Sequence, residues 1–310
     1  MMDKKWVTVL GSFVADLAFR THRIPVWGET LLGSEFKLGP GGKGSNQAVA
    51  AARAGGRVSF ISKLGLDPFG DMARVLYKSE GIDTQFLFKT QSATGAATII
   101  IDASKGENAI IVVPGACFEV TAAEVDQARA LIAGSSVFVA QLELPLTVVE
   151  HGLALAHSLG VPTILNPAPA APLPESIYHH IDYITPNESE AAALTGVPVT
   201  TVADAEKAAD AFLARGVPNA IITLGAQGVF VKNAQVRAHV PAVNAGKVVE
   251  TTGAGDAFNG GFAVALSEGI GLVEAARFGC ATAGISITRP GTAPSMPTRA
   301  EIDALRNRAR

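Results

Sequence analysis

Short runs of apolar and β-branched residues alternate along the chain with longer, alanine-rich stretches whose apolar positions recur at helical spacing. "WVTVLG", "VSFISKLG", "SVFVAQL", "PTILNPA", "DYITPN" and "NAIITLG" read as buried strands, since near-continuous apolar runs belong in a parallel sheet covered on both faces. Between them, "SNQAVAAARAG", "DPFGDMARVLYKSEG", "TAAEVDQARALIAG", "PLTVVEHGLALAHSLG" and "TVADAEKAADAFLARG" predict helices, commonly ended by a glycine. Strand-then-helix repetition predicts an α/β doubly wound fold. Residues 14–38 and 94–114 break the rhythm with strand-like text and no helix. "IIIDASKGENAIIV" predicts a hairpin turning at Lys105-Gly106-Glu107-Asn108, and these segments predict a small extra sheet projecting from the main body. A further hairpin, "GVFVKNAQVRAHVP", is expected to edge the main sheet. With no linker, repeat or low-complexity tract, 1–310 is expected to be one domain with an excursion.

Composition narrows the class. Hydrophobic content of 48% with 17% charged residues is that of a compact protein with a sizeable core and excludes disorder. A net charge of −3 with scattered lysines and arginines offers no face for nucleic acid or a membrane surface. Cys117 and Cys280 are isolated, which fits a reducing, cytoplasmic setting. The N-terminal apolar run is too short for a signal segment, and no stretch reaches the ~18 apolar residues of a membrane-spanning helix.

Two glycine-rich stretches carry candidate chemistry. In "VVETTGAGDAFNGGFAVALSEG" a strand is expected to run into Gly253-Ala254-Gly255, with a helix starting near Asp256. Converging backbone N–H groups at a helix start suit an anion, and a carboxylate beside them is placed to take a proton from a hydroxyl. The bland alternative for Asp256 is a helix N-cap. The other stretch, "KLGPGGKGSNQAVAAARAGG", contains Gly39-x-Gly41-x-x-Gly44, which matches a dinucleotide fingerprint, with Asp67 at a tolerable spacing. Lys43 and Asn46 instead supply what a small polyhydroxylated ligand needs. Asp16, Glu143 and the group Asn187, Glu188 and Glu190 follow predicted strands, where ligands of open α/β sheets bind. A cluster of this kind suits a water-rich Mg²⁺. Each also reads singly as a cap or solvated loop residue. The histidines show no zinc spacing.

Taken in order, "VLGSFVAD", "GGKGSNQAVAAARAG", "QLELPL", "LNPAPA", "DYITPNESEAAALTG", "IITLGAQGVF", "TTGAGDAFNGGF" and "TRPGTAPSMP" resemble the ribokinase family of carbohydrate kinases over nearly the whole chain. The resemblance implies a three-layer α/β sandwich, a central mainly parallel sheet between helices, with a β-sheet lid that often forms a homodimer contact. It implies ATP-dependent phosphorylation of the primary hydroxyl of a pentose, D-ribose at O5 foremost. The other acceptors it leaves open are 2-deoxyribose, another sugar and a nucleoside. Asp256 becomes the base, and Gly253, Ala254 and Gly255 the anion hole. Asp16, Gly42, Lys43, Gly44, Asn46 and Glu143 become sugar ligands. Asn187 and Glu190 act around Mg²⁺ and phosphate, and Thr223, Gly225 and Gly228 lie along ATP. A K⁺-type monovalent cation falls on Glu250, Thr252, Ser286, Arg289, Gly291 and Ser295. Two positions depart from the family pattern: Val14 stands where an asparagine is usual in the sugar pocket, and Glu250 where an aspartate is. A sugar-binding protein without catalysis and a nicotinamide oxidoreductase are the readings from other classes.

Overall fold

A computed structural model of the chain describes residues 6–104 and 108–308. Its strands begin with β1 (Trp6–Leu10), β2 (Val14–Thr21) and β3 (Glu35–Gly41), followed by α1 (Lys43–Arg53), β4 (Arg57–Gly65) and α2 (Pro68–Ser79). Next come β5 (Leu87–Thr90), β6 (Thr94–Asp102) and β7 (Asn108–Gly115), then α3 (Ala122–Gln127) and α4 (Arg129–Ala133). The alternating part continues with β8 (Ser135–Ala140), α5 (Leu146–Ser158), β9 (Thr163–Leu165), α6 (Glu175–Tyr178) and β10 (Tyr183–Ile184). After α7 (Glu188–Thr195), α8 (Val202–Ala214) and β11 (Asn219–Thr223), the chain forms β12 (Val229–Lys232) and β13 (Arg237–Val240). It closes with α9 (Ala254–Ser267), α10 (Leu272–Ser286) and α11 (Arg299–Arg308). No helix among the described residues is long and apolar enough to cross a membrane.

Nine of the described strands form one sheet in the order β13-β12-β11-β10-β9-β8-β1-β4-β5. It is parallel from β11 to β5 and antiparallel only at the β11–β12–β13 edge, where the sequence expects a hairpin. Side chains alternate across a strand, and here the alternation feeds two separate cores. Val7, Val137, Val139, Ile221 and Val231 meet α1, α2, α9 and α10 on one face. Phe138, Ala140, Ala220, Ile222 and Phe230 meet α5, α7 and α8 on the other. Helix–sheet–helix is the three-layer architecture expected.

Strands β3-β2-β6-β7 make a second sheet, drawn from the two segments that lack helices. The β6–β7 pairing runs to Ile101↔Asn108; of the expected hairpin turn, Lys105, Gly106 and Glu107 lie outside the described residues. Because β3 pairs antiparallel with β2, the loop after it is no βα turn of a parallel sheet. That removes the structural context the dinucleotide reading requires.

Two local expectations are corrected. The helix over "TAAEVDQARALIAG" divides at Ala128, because α3 packs on α5 whereas α4 turns to β1 and β8. No strand runs into Gly253. Residues 241–253 are irregular, since they leave the sheet edge at β13 and run beside the end of α10. There the N–H groups of Val249 and Glu250 both donate to the Ile287 carbonyl, at 2.8 and 3.2 Å.

Candidate active site

Helix α1 starts where backbone approaches backbone. Gly42 has φ 86° and a side chain there would stand 2.7 Å from the Val14 nitrogen, while one at Gly44 would stand 2.5 Å from the Gly11 Cα. Glycine is required at both on steric grounds. The close approach lets Ser45 N–H donate to the Ser12 carbonyl at 2.9 Å, seating the α1 N-terminus on the β1–β2 connection. Gly42 brings no side-chain cap. Glu143 does that work from the loop after β8, accepting from Lys43 N–H at 2.8 Å and from the Ser12 hydroxyl at 2.5 Å. A carboxylate at that end of the helix is favoured by the dipole.

Helix α9 starts beside it. Gly253 is the N-cap at φ 79°, a left-handed position that glycine adopts without penalty. The plain capping reading of Asp256 does not hold: it sits in the first turn, and its oxygens face α1. Oδ2 accepts from Asn46 Nδ2 and Oδ1 from Gln47 Nε2, both at 3.0 Å. Ala254 N–H is taken by the Thr251 carbonyl at 3.1 Å. The N–H groups of Gly255 and Asp256 have no acceptor among the described residues and remain for a ligand.

Lys43, Asn187, Glu190, Thr223, Gly253, Ala254, Gly255 and Asp256 line one open cleft with Thr251, at the ends of β9, β10 and β11. Asn187 and Glu190 form a reciprocal capping box on α7, with Glu190 N–H to Asn187 Oδ1 and Asn187 N–H to Glu190 Oε2 both at 2.9 Å. The structural reading of this pair is therefore realised, and the same side chains also face the cleft. Gly225 and Gly228 flank the short turn between β11 and β12, next to Thr223 but outside that lining.

Charge is concentrated here. Burial, then Glu143, Asp256 and Glu250, push the Asp16 carboxyl up to about 7. Burial raises Asp256 above the usual carboxylate range against the opposing pull of Lys43 and the Asn46 and Gln47 amides. Burial also raises Glu190, opposed by Asn187 N–H and Lys43. For Lys43, burial acts downward, and Asp256, Glu143 and Glu190 together outweigh it, so the ammonium is held above its ordinary value.

Val14 and Asp16 are two apart on β2 and share a sheet face, paired with Gly41 and Gly39 on one side and Gly95 and Ala97 on the other. Of the residues expected around a monovalent cation, Glu250 Oε2 accepts from Gly291 N–H at 2.8 Å, and Ser295 donates its hydroxyl to the Thr292 carbonyl at 2.8 Å. The Ser286 carbonyl accepts from Arg289 N–H at 3.2 Å, while the Arg289 guanidinium pairs with Glu301. Thr252 is exposed. These positions thus bracket the loop that precedes α9, with Glu250 and Gly291 in direct contact.

Residue reading missed Gln47, Asn166, Thr185 and Asn259, which are buried around Asp256. For Asn166, Thr185 and Asn259 the available signal was a polar residue in an otherwise apolar or small-residue stretch; Gln47 offered none.

The pattern of the pfkB family of carbohydrate kinases matches residues 4–299. The chain is 44% identical over 299 residues to a ribokinase of Haemophilus influenzae, covering 96% of this chain and 97% of that one. It is 36% identical over 296 residues to a deoxyribokinase of Salmonella typhi, covering 94% and 95%. The structure of an Arabidopsis thaliana ribokinase complexed with ribose and ATP superposes with a TM-score of 0.92 at 29% identity, covering 98% of this chain and 99% of that one.

Proposed function

This chain belongs to the pfkB family of carbohydrate kinases, and we propose that it transfers the γ-phosphoryl group of ATP to O5 of D-ribose. It is an ATP-dependent phosphotransferase, which sets aside the oxidoreductase and the non-catalytic readings. The observation that carries the assignment of roles is the placement of Asp256, buried and held by two amides, beside two free N–H groups at a helix start. In this reading Asp256 takes the proton of the sugar hydroxyl as that oxygen bonds to the γ-phosphorus. The bond from that phosphorus to the bridging oxygen breaks, and ADP leaves. Gly255 and Asp256 N–H and the Lys43 ammonium stabilise the charge on the phosphoryl oxygens. Asp16, Asn46 and Glu143 hold the sugar, with Gly42 and Gly44 letting it approach the backbone, and Asn46 Oδ1 is a buried acceptor with no partner among the described residues. Thr223, Gly225 and Gly228 lie along the nucleotide.

Glu190 and Asn187 fit a Mg²⁺ reached through water. Both offer oxygen, and the buried Glu190 carboxyl, lifted above its ordinary range, is the kind of group that a nearby cation stabilises as the anion. Bound with ATP, the ion supplies charge neutralisation at the phosphates. Glu250 and Ser295, with the carbonyls of Thr252, Ser286, Arg289 and Gly291, offer an oxygen-only set that fits a monovalent cation. Glu250 already ties Gly291 to the loop before α9, and an ion held by this set would supply charge that favours an ordered anion hole. Activity is expected to rise more with K⁺ than with Na⁺, because the larger ion suits a cage of carbonyl oxygens. Equal rates in K⁺, Na⁺ and a bulky organic cation remove this part of the reading.

Asp16 brings a pH dependence. Its carboxyl is pushed up to about 7 in the free protein, so below that pH it is protonated, gives up one acceptor site and loses the charge-assisted bonds that the carboxylate makes to sugar hydroxyls. The expected result is a kcat/KM for sugar that falls as pH drops through neutrality, since this ratio reports free-enzyme groups. A pH series at limiting sugar measures it, and a flat profile across neutrality excludes Asp16 as the acceptor.

The four-stranded sheet exposes Phe19 and Phe36, paired across β2 and β3 with ring centroids 5.0 Å apart, and Trp27 stands fully exposed on the loop between them. That apolar surface supports a lid that pairs with a second copy, a homodimer to be checked by sedimentation velocity. The buried free cysteines Cys117 and Cys280 accord with a cytoplasmic setting. The deciding experiment for the function is ADP release measured over a panel of pentoses, hexoses and nucleosides. D-ribose as a poor acceptor beside a hexose, a nucleoside or any pentose other than 2-deoxyribose overturns the assignment, and a strong preference for 2-deoxyribose transfers it to that sugar.

A further inference from the structure

Gln47 follows Asn46 on α1, in a run of alanines, and is 1% exposed. Both donors of its amide are used, and its oxygen has a donor of its own. Nε2 donates to Asp256 Oδ1 and to Asn166 Oδ1, both at 3.0 Å, and Oε1 accepts from Gln141 Nε2 at 2.7 Å. With two acceptors on one side and a donor on the other, the amide has one orientation only. From Asn166 the chain of bonds continues. Asn166 Nδ2 donates to the Thr185 carbonyl at 3.0 Å, and the Thr185 hydroxyl to Asn259 Oδ1 at 2.6 Å. Asn259 Nδ2 then donates to the Gly255 carbonyl at 2.9 Å. Gly255 is bonded to Asp256, so the bonds close into a ring. Its members come from α1, from the ends of β9 and β10, and from the first turns of α9.

We propose that Gln47 is a positioning residue for phosphoryl transfer, holding the Asp256 carboxylate and the first turn of α9 in reactive orientation through this closed ring. The proposal rests on the reading of Asp256 as the base. Gln47 lies behind Asp256, outside the cleft lining, whereas its partners Asp256 and Asn166 line the cleft, so it acts on the reaction only through the groups it holds. Apolar side chains suffice for packing a helix on a sheet, and a buried ring of hydrogen bonds that closes on itself instead specifies one geometry. Asn46 holds the second oxygen of Asp256, so the two amides together fix the plane of the carboxylate. Without the Gln47 donors, the carboxylate is free to rotate about Oδ2 and away from the attacking hydroxyl.

The charged groups facing Asp256 are Lys43 from α1, Glu143 from the loop after β8, Asp16 from β2 and Glu190 from α7. Of these only Lys43 favours the anion. Losing the Gln47 donor removes a bond made to the ionised form and leaves the like charges in place, so the acid limb of kcat moves to higher pH.

The test compares Gln47→Met, Gln47→Glu and Asp256→Asn by steady-state kinetics across pH, with thermal melts as the folding check. Gln47→Met keeps an unbranched chain of similar length and removes both donors. Its kcat is expected to fall about tenfold, with KM for sugar and for ATP changed by less than about threefold, and with the acid limb shifted up. If that variant melts without a cooperative transition, Gln47→Glu decides. It keeps the shape and places a second carboxyl against Asp256, so the pair competes for a proton, and kcat falls and the limb rises in the same direction. A folded variant with kcat within about twofold of wild type and an unmoved limb overturns the proposal, as does a rise in KM at constant kcat. If Asp256→Asn itself turns over normally, the reading of Asp256 fails. If Asp256→Asn is inactive while the Gln47 variants are normal, only the positioning role fails.

Discussion

Asp256→Asn is expected to lower kcat by roughly 10²–10⁴, with KM for sugar changed far less. Asparagine preserves the volume of the side chain and keeps one acceptor, but it cannot take the hydroxyl proton. Two opposing effects act on stability. The Asp256 oxygens accept from Asn46 and Gln47 amides at 3.0 Å. An asparagine amide meets one of those donors with a donor of its own, which costs about 1–3 kcal/mol for the unpaired buried group. Against this, the Asp256 pKa is raised in the folded protein, with burial the leading cause. A carboxyl with a raised folded pKa destabilises the fold once the pH exceeds its unfolded value, so removing the charge relieves a cost present at neutral pH. The variant is therefore expected to remain folded, and the loss is one of chemistry. ADP release with saturating sugar and ATP, beside a thermal melt, measures both. Near-normal turnover by a folded Asp256→Asn protein leaves Asp256 as no more than an acceptor for the amides of α1.

How far the sequence leads depends on the range over which each feature is encoded. Strands β1, β4, β8 and β11 are legible because their apolar runs are continuous, and α1 because an alanine-rich segment follows directly on glycines. Each is a local property. The strand order is not local: β8 pairs with β1 although Thr8 and Ser135, bonded across that pair, stand 127 residues apart, and no periodicity records that. The same division holds in the site. Lys43, Glu143, Asn187 and Asp256 stand out as polar residues where strands end or helices begin. Gln47 does not, since one amide inside "NQAVAAARAG" reads equally as a solvated helix face. Its partners lie 94, 119 and 209 residues away, and only the packing of α1 against α9 and the ends of β8 and β9 brings them together. That packing is itself written in small residues: a side chain added at Gly260 would stand 2.5 Å from Ala50 Cβ and 2.7 Å from the Gln47 carbonyl. Small residues on both helices therefore let Asp256 reach α1.

The mistaken strand before Gly253 has the same origin. "VVETT" is β-branched and apolar enough to read as a strand, yet Val248 and Val249 are exposed and the segment has no sheet edge beside it. Strand propensity describes a fit to a pleated, half-buried surface, and where no neighbouring strand is available it goes unused. The loop instead hangs on Ile287 and Gly291, next to the residues proposed to hold a monovalent cation.

Val14 stands where the family resemblance implies an asparagine in the proposed sugar pocket, and Val14→Asn is expected to change substrate preference. Val14 shares its sheet face with Asp16 and is 4% exposed, yet it packs into neither of the two hydrophobic cores. Its side chain is thus directed by β2 to the same side as the carboxylate proposed to hold the sugar. An asparagine there offers a donor and an acceptor to a hydroxyl; valine offers neither. A ribose hydroxyl placed against Val14 loses its bond to water without replacement, at a cost of about 1–3 kcal/mol. A sugar without that hydroxyl avoids the cost and gains apolar contact. The wild-type protein is therefore expected to use 2-deoxyribose, or another sugar altered at that position, at least comparably to ribose. Val14→Asn is expected to shift the ratio of kcat/KM values toward ribose by about ten- to a hundredfold, at about 1.4 kcal/mol per tenfold. Similarity to both a ribokinase and a deoxyribokinase over more than nine-tenths of the chain makes the two sugars the informative pair. Both are to be compared on both proteins under the same assay. If the wild type strongly rejects 2-deoxyribose and the substitution leaves the ratio where it was, the hydroxyl that distinguishes the sugars does not face Val14, or an ordered water takes the place of the missing amide.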